Sequence, residues 1–278
     1  MFGVILTSIG TFFTEVSVLI GKRQAREGHE DAYALGFFDV FWAMVILGGI
    51  ALVRQSFVFS AESLPTFTIR AILEVAQAHV TALAVIRADR STFGFIRVFT
   101  LPLLLVIDLA LGYTLSAGQM FGVTLIFLVL IMIFMSKKIG KQGRWLVLFT
   151  AVNAGATISL FKYDITHFNS VEAEQILILA ILLVYFWAGG LAVSRQNNLA
   201  RLFTRKIFFA QSLAQGLATV VESFAYSFAP ASIIMAAKRS SAITWSMISG
   251  HFVFSEKNFV FKITVLTALV GGIILLAI

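Results

Sequence analysis

Ten apolar segments set the terms for this chain. They cover residues 2–21, 34–53, 67–86, 91–112, 117–136, 144–161, 173–194, 207–226, 230–251 and 259–278. A helix crosses the hydrocarbon core of a bilayer in about 20 apolar residues, so each segment suffices for one crossing. Composition leaves little else open: 59% of the 278 residues are hydrophobic and 13% are charged, with a mean hydropathy of +0.93. A soluble domain carries roughly 25% charged residues, and half that number cannot cover a water-facing surface. A soluble enzyme, a nucleic-acid reader and a disordered chain are thereby excluded. Backbone groups in lipid must pair within their own segment, so the crossings are helices. The expected fold is all-α: a polytopic membrane protein of ten transmembrane helices.

The breaks orient the bundle. Those at Arg87–Arg90, Tyr113–Gly118, Phe228–Pro230 and Ser255–Asn258 are short enough to force antiparallel neighbours. Loops after odd-numbered segments hold Lys22, Arg23, Arg26, Arg87, Arg90, Lys137, Lys138, Lys141, Arg144, Arg195, Arg201, Arg205, Lys206 and Lys257, which is 14 cations; loops after even-numbered segments hold only Arg54 and Lys162. The positive-inside bias makes the odd-segment loops cytoplasmic and puts both termini on the other face. The net charge of +7 follows from that bias and needs no nucleic acid. The first segment has neither a basic n-region nor a small-residue cleavage site, and reads as a retained span. With no cysteine in the chain, disulfides, Cys-ligated zinc and thiol nucleophiles are excluded.

The segments also repeat. A shift of 141 residues carries Arg54 onto Arg195, Ser91 onto Ser232 and Arg97 onto Lys238, and lands each of the first five segments near its counterpart in the second five. Five is odd, so the second half enters the membrane from the opposite side. Residues 1–137 and 138–278 are therefore expected to form two inverted five-helix repeats within one integral domain, an architecture common among secondary transporters.

Three stretches carry a family resemblance. Phe254-Ser255-Glu256-Lys257 precedes a span ending Gly271-Gly272-Ile273; Leu111-Gly112-Tyr113 precedes Gly122; and Ala225-Tyr226 leads through a short junction to Pro230-Ala231-Ser232. In these residues, and over nearly its whole length, the chain resembles the drug/metabolite transporter superfamily, specifically its ten-span EamA-like branch. There a turn of apolar-Gly-Glu type joins the last two spans of each half. Ser255 stands in place of the family glycine in one half, and Tyr113 in place of the glutamate in the other. The resemblance implies small-molecule transport by alternating access, with a cavity lined mainly by the first, third and fourth spans of each half.

A charge at the membrane centre costs about 2.5–3.5 kcal/mol on insertion scales, so each needs a partner or water. Glu15 and Arg97 both lie roughly 9 Å from the cytoplasmic face, at 1.5 Å per residue, and suit one another as a pair. Glu222 and Lys238 match in depth from the external face. Lys238 and Arg239 point about 100° apart, so one faces the cavity; the repeat favours Lys238, the equivalent of Arg97. The cavity candidates are thus Arg97, Lys238, Glu15, Glu222, His79 and Trp245. Glu15 reads either as an ion partner of Arg97 or as a substrate or proton site. His79 reads as a hydrogen-bonded core histidine ahead of a proton relay. Arg70 and Glu74, spaced i,i+4, read as a structural ion pair, with Asp108 near enough to join them. Asp39 reads as a snorkelling or loop-paired residue, Asn153 as a weak candidate, and Asp164, His167 and Glu172 as solvated groups in the loop after the sixth span.

No Gly-x-x-x-x-Gly-Lys sequence occurs, so this chain does not hydrolyse ATP through a P-loop, and no His-Glu-x-x-His occurs to hold zinc. The expected function is a secondary transporter for a small polar metabolite, such as an amino acid or organic acid, with proton-coupled export, facilitation and exchange all open. A non-transporting scaffold and an intramembrane enzyme are the weaker alternatives. No enzymatic activity, cofactor, metal or nucleic acid is expected. The expected partners are a small-molecule substrate, membrane lipid and, as an option, a second copy in a homodimer. The expected location is a prokaryotic plasma (inner) membrane, as a multi-pass protein.

Overall fold

The computed structural model of the chain describes residues 1–25, 32–87, 96–135, 142–193, 206–254 and 259–278. Its helices are α1 (Phe2–Ala25), α2 (Ala32–Arg54), α3 (Leu64–Arg87), α4 (Thr100–Ala110), α5 (Ala117–Met135), α6 (Arg144–His167), α7 (Val171–Val193), α8 (Lys206–Ala225), α9 (Ala231–Phe254) and α10 (Phe259–Ala277), with a 3-10 turn at Ala61–Ser63. Helix makes up 88% of the structure and no strand occurs among the described residues, so the chain is all-α as expected. Among the described residues four stretches, against the ten expected, are long and apolar enough to cross a membrane: Phe2–Ile20, Gly36–Arg54, Arg144–His167 and Val171–Leu191; Ala117–Met132 and Thr267–Ala277 are shorter apolar stretches. Most of the basic loop residues counted above lie outside the described residues, together with Ser91, Arg195 and the turn Ser255-Glu256-Lys257.

Local chemistry explains where the helices depart from the apolar segments. α3 begins at Leu64, with Pro65 in its first turn, where a missing N–H is harmless. The fourth segment is not one continuous helix. Residues 96–98 are helical, Phe99 forms a turn and α4 restarts at Thr100, because Pro102 cannot donate back to residue 98 and its ring crowds that carbonyl. α5 opens with a reciprocal cap, Gln119 N–H to Ser116 Oγ at 3.1 Å and Ser116 N–H to Gln119 Oε1 at 3.0 Å, in the manner of a capping box. α6 runs on to His167, six residues past its apolar segment.

One end of the bundle gathers the short connections. Ser170 N–H donates to the Val58 carbonyl at 2.9 Å, Ser60 N–H to Asn169 Oδ1 at 2.9 Å, and Lys162 Nζ to the Tyr226 carbonyl at 2.6 Å. The segment 55–63 and the α6–α7 and α8–α9 turns therefore share one face, called here the short-loop face.

The principal pairings recur when helix numbers advance by five. α1 packs on α8 and α9 as α6 packs on α3 and α4; α2 meets α8 as α7 meets α3; and α2–α7, α4–α9 and α5–α10 pair with themselves under that exchange. Small residues permit the closest of these contacts. A Cβ on Gly216 of α8 would lie 2.7 Å from Trp42 Cβ and 2.9 Å from Ala43 N of α2, and one on Gly122 of α5 would lie 3.1 Å from the Gly272 carbonyl of α10. The larger core joins Leu101 and Leu104 to Ile126, Ile233, Ile234 and Leu269. A smaller one joins Ala43 and Leu47 to Leu179 and Val220. Bulky apolar side chains such as Leu52, Ile72, Phe121, Trp145 and Val184 stay exposed on the outside.

Candidate functional site

Polar residues occupy two levels of the bundle. The upper level, beneath the short-loop face, is dry and cross-linked. Arg70 of α3 donates to Glu174 Oε1 of α7 at 2.7 Å and to Gln175 Oε1 at 3.1 Å, and its guanidinium lies 4.5 Å over the Phe161 ring. Asn169 donates to the other Glu174 oxygen at 2.6 Å and to Ser63 Oγ at 2.9 Å. Thr66 donates to Asp164 Oδ1 at 2.6 Å. Gln175 carries the network onward to Ser223 of α8 at 2.8 Å. Such groups survive burial because each is answered by a partner.

This level corrects several sequence readings. Arg70 and Glu74 form the expected i,i+4 ion pair, at 3.8 Å, but the shorter contact of the guanidinium is with Glu174, at 2.7 Å, which the sequence reading missed. Asp108 does not join Arg70. Its Oδ2 accepts the Ser232 N–H at 2.6 Å, so a carboxylate from α4 caps the start of α9, where the helix dipole favours negative charge. Asp164 and Glu172 are neither in a loop nor solvated. Asp164 lies in α6 and Glu172 in the first turn of α7, at 0% and 3% exposure. Arg54 and Ser56 both reach Glu172, at 3.2 and 2.6 Å. Lys162, taken as a loop cation, is buried in α6. His167 ends that helix, exposed, against the Tyr163 carbonyl.

A second set of charges lies beside it on α8 and α9. The first seven residues of α9, Ala231 through Ala237, are each at most 4% exposed. Lys238 follows with its side chain 35% exposed, and Glu222 is 12% exposed, although the two form an ion pair at 2.5 Å. Glu74, one turn along α3 from Arg70, likewise keeps 23% side-chain exposure. The structure thus brings Glu222 and Lys238 together as their depths suggested.

Arg239 follows Lys238 on α9. Its Nε is buried without a hydrogen-bond partner among the described residues. The charge of Glu222 and the Tyr226 hydroxyl act on it, and the Arg97 guanidinium lies within electrostatic reach. Glu15 is half-buried on α1. Glu222 packs against α1 at Gly10, where a Cβ would come within 2.6 Å of its Cγ.

The remaining candidates knit helices together. Trp245 donates from Nε1 to the Ser8 carbonyl of α1 at 3.0 Å and lies edge-on to Phe12. His79 is exposed, not a core residue, with Nδ1 3.0 Å from the Tyr185 hydroxyl. Asn153 donates to Gln77 at 2.8 Å and to the Leu73 carbonyl at 2.9 Å, tying α6 to α3. Asp39 Oδ1 is buried with no hydrogen bond among the described residues, so the expected loop pairing is not seen. No group of side chains placed to hold a metal ion occurs among the described residues.

No family model matches the sequence, and no curated protein matches it. A solved crystal structure shares the fold, with a TM-score of 0.74 at 11% identity over 97% of this chain and 95% of that one. At that identity the shared property is the architecture of the bundle.

Proposed function

We propose that this chain is a multi-pass membrane protein acting as a secondary transporter, which moves a small polar metabolite bearing a carboxylate or phosphate by alternating access. The observation that carries the reading is Arg239. Its neighbour Lys238 is already answered by Glu222, whereas Arg239 Nε has no hydrogen-bond acceptor among the described residues and the charge of Arg97 acts near it. A guanidinium deep in a helical bundle needs an anion or water, and its planar fork suits carboxylate or phosphate oxygens two at a time. Arg239 thus joins Arg97 and Lys238 as a substrate-facing cation, with an amino acid, organic acid or phosphorylated metabolite as the substrate class.

Other observations support the reading. The pairings that recur five helices on are those expected if residues 1–137 and 138–278 are inverted repeats, in keeping with the resemblance to EamA-like drug/metabolite transporters. The 14 cations of the odd-segment loops place those loops in the cytoplasm of a prokaryotic inner membrane and the short-loop face outside. Glu15 and Glu222 are the carboxylates available for proton coupling. The test is counterflow: proteoliposomes loaded with unlabelled amino acids, dicarboxylates or phosphorylated metabolites should accumulate the matching labelled anion, and Arg239→Gln should abolish this. Exchange of organic cations alone would overturn the substrate class. Absence of exchange for every solute would overturn the transporter.

A further inference from the structure

Alternating access needs a seam between the halves that opens on each face in turn. On the short-loop face that seam is α3 against α7, and the seam related to it by the repeat is α8 against α2; both are packed together. The first seam is held by charge. Arg70 and Glu174 meet at 2.7 Å with side chains 3% and 0% exposed, and Asn169 and Gln175 take up further hydrogen-bonding capacity around them.

The positions related to Arg70 and Glu174 in the other seam carry no charge. The start of α3 maps onto that of α8 at a shift of 142, from Leu64 to Lys206, and α2 onto α7 at 139, from Ala32 to Val171. Shifts of 141 and 142 carry Arg70 onto Gln211 and Ser212; shifts of 141 and 139 carry Glu174 back onto Tyr33 and Leu35. Every one of these residues is uncharged. Gln211 Oε1 is moreover buried without a hydrogen-bond partner among the described residues.

We infer that the Arg70–Glu174 pair is the latch of the short-loop gate, and that its lack of a counterpart on the other face makes the resting carrier close toward the short-loop side and open toward the cytoplasm. The inference rests on the alternating-access reading. The mechanism is a population bias: contacts present in only one of two states favour that state. Separating the latch means parting two charges that attract strongly while the seam excludes water, whereas the positions related to them in the α8–α2 seam hold neutral side chains.

The absence of native cysteine permits a direct test. Ala242 lies one turn below Lys238 on the same face of α9 and is half-buried. A protein carrying Ala242→Cys is reconstituted and labelled with a membrane-impermeant maleimide from either face. Labelling should come from the cytoplasmic face. Adding Glu174→Gln, which keeps side-chain shape, should raise labelling from the short-loop face roughly tenfold. Unchanged labelling in a folded Glu174→Gln protein overturns the latch. If that variant fails to fold, Gln211→Arg with Tyr33→Glu builds a second latch, and cytoplasmic labelling should fall roughly tenfold. No change there equally overturns the proposal. A cysteine unreachable from both faces in every protein would instead overturn the carrier reading itself.

Discussion

The upper and middle levels of this bundle hold similar residues under opposite conditions. Beneath the short-loop face, Arg70, Glu174, Asn169 and Asp164 are nearly all below 7% exposure and hydrogen-bonded across helices. On α8 and α9, Glu222 and Lys238 form a shorter ion pair yet remain partly exposed, and Arg239 leaves its buried Nε unanswered. Ion-pair length therefore says little about what a charge is for. Both levels keep buried atoms without a hydrogen-bond partner among the described residues, Arg70 Nε and Asp164 Oδ2 in the first and Arg239 Nε in the second. What separates them is that Arg70, Glu174 and Asp164 are also held by short hydrogen bonds from other helices.

That contrast orders the expected effects of mutation. Arg70→Met should be the most damaging, because it leaves Glu174 buried without its cation; thermal unfolding in detergent should show a loss of about 3–5 kcal/mol, and an unchanged melting temperature would erase the distinction between the levels. Gly216→Ala probes the unlatched α2–α8 seam. The added Cβ meets backbone atoms at 2.9 Å, so overpacking should cost about 1–3 kcal/mol. Gly49→Ala, with nothing within 4 Å, should change stability by no more than about 0.5 kcal/mol. A equal response of the two glycines would show that the far seam is not closely packed.

Smaller effects sharpen the picture. Asp108→Asn keeps the cap on α9 but removes its charge, and should cost about 1 kcal/mol at most, within the range seen for helix caps. Arg239→Gln should leave stability within about 0.5 kcal/mol while abolishing anion counterflow. A large loss of stability in that variant would reassign Arg239 to the structural level. Measuring unfolding and counterflow on the same preparations separates the two outcomes.

Residue chemistry and one-dimensional spacing were enough for the helices and for one ion pair. The apolar runs predict every long helix because a segment that cannot face water must bury its own backbone polarity, and the positions of Glu222 and Lys238 predict their meeting because depth along a helix is linear in residue number. Failures cluster where a partner comes from a distant turn. Seen along the chain, Arg70 has only Glu74 within an i,i+4 reach, and Asp164 and Glu172 look like loop residues because the apolar run has ended. In the folded protein α6 continues past that run, and the α6–α7 turn folds Asn169, Glu172 and Glu174 against α3 and the segment after α2. The choice between Lys238 and Arg239 was likewise decided in three dimensions. Spacing says that only one of two adjacent side chains faces a given direction, but which of them keeps an unanswered donor depends on where α8 places Glu222. The sequence determined which residues must leave water and at what depth its charges lie; the tertiary structure decided which charges found partners, because a buried ion is satisfied only by groups that other helices bring within hydrogen-bond distance.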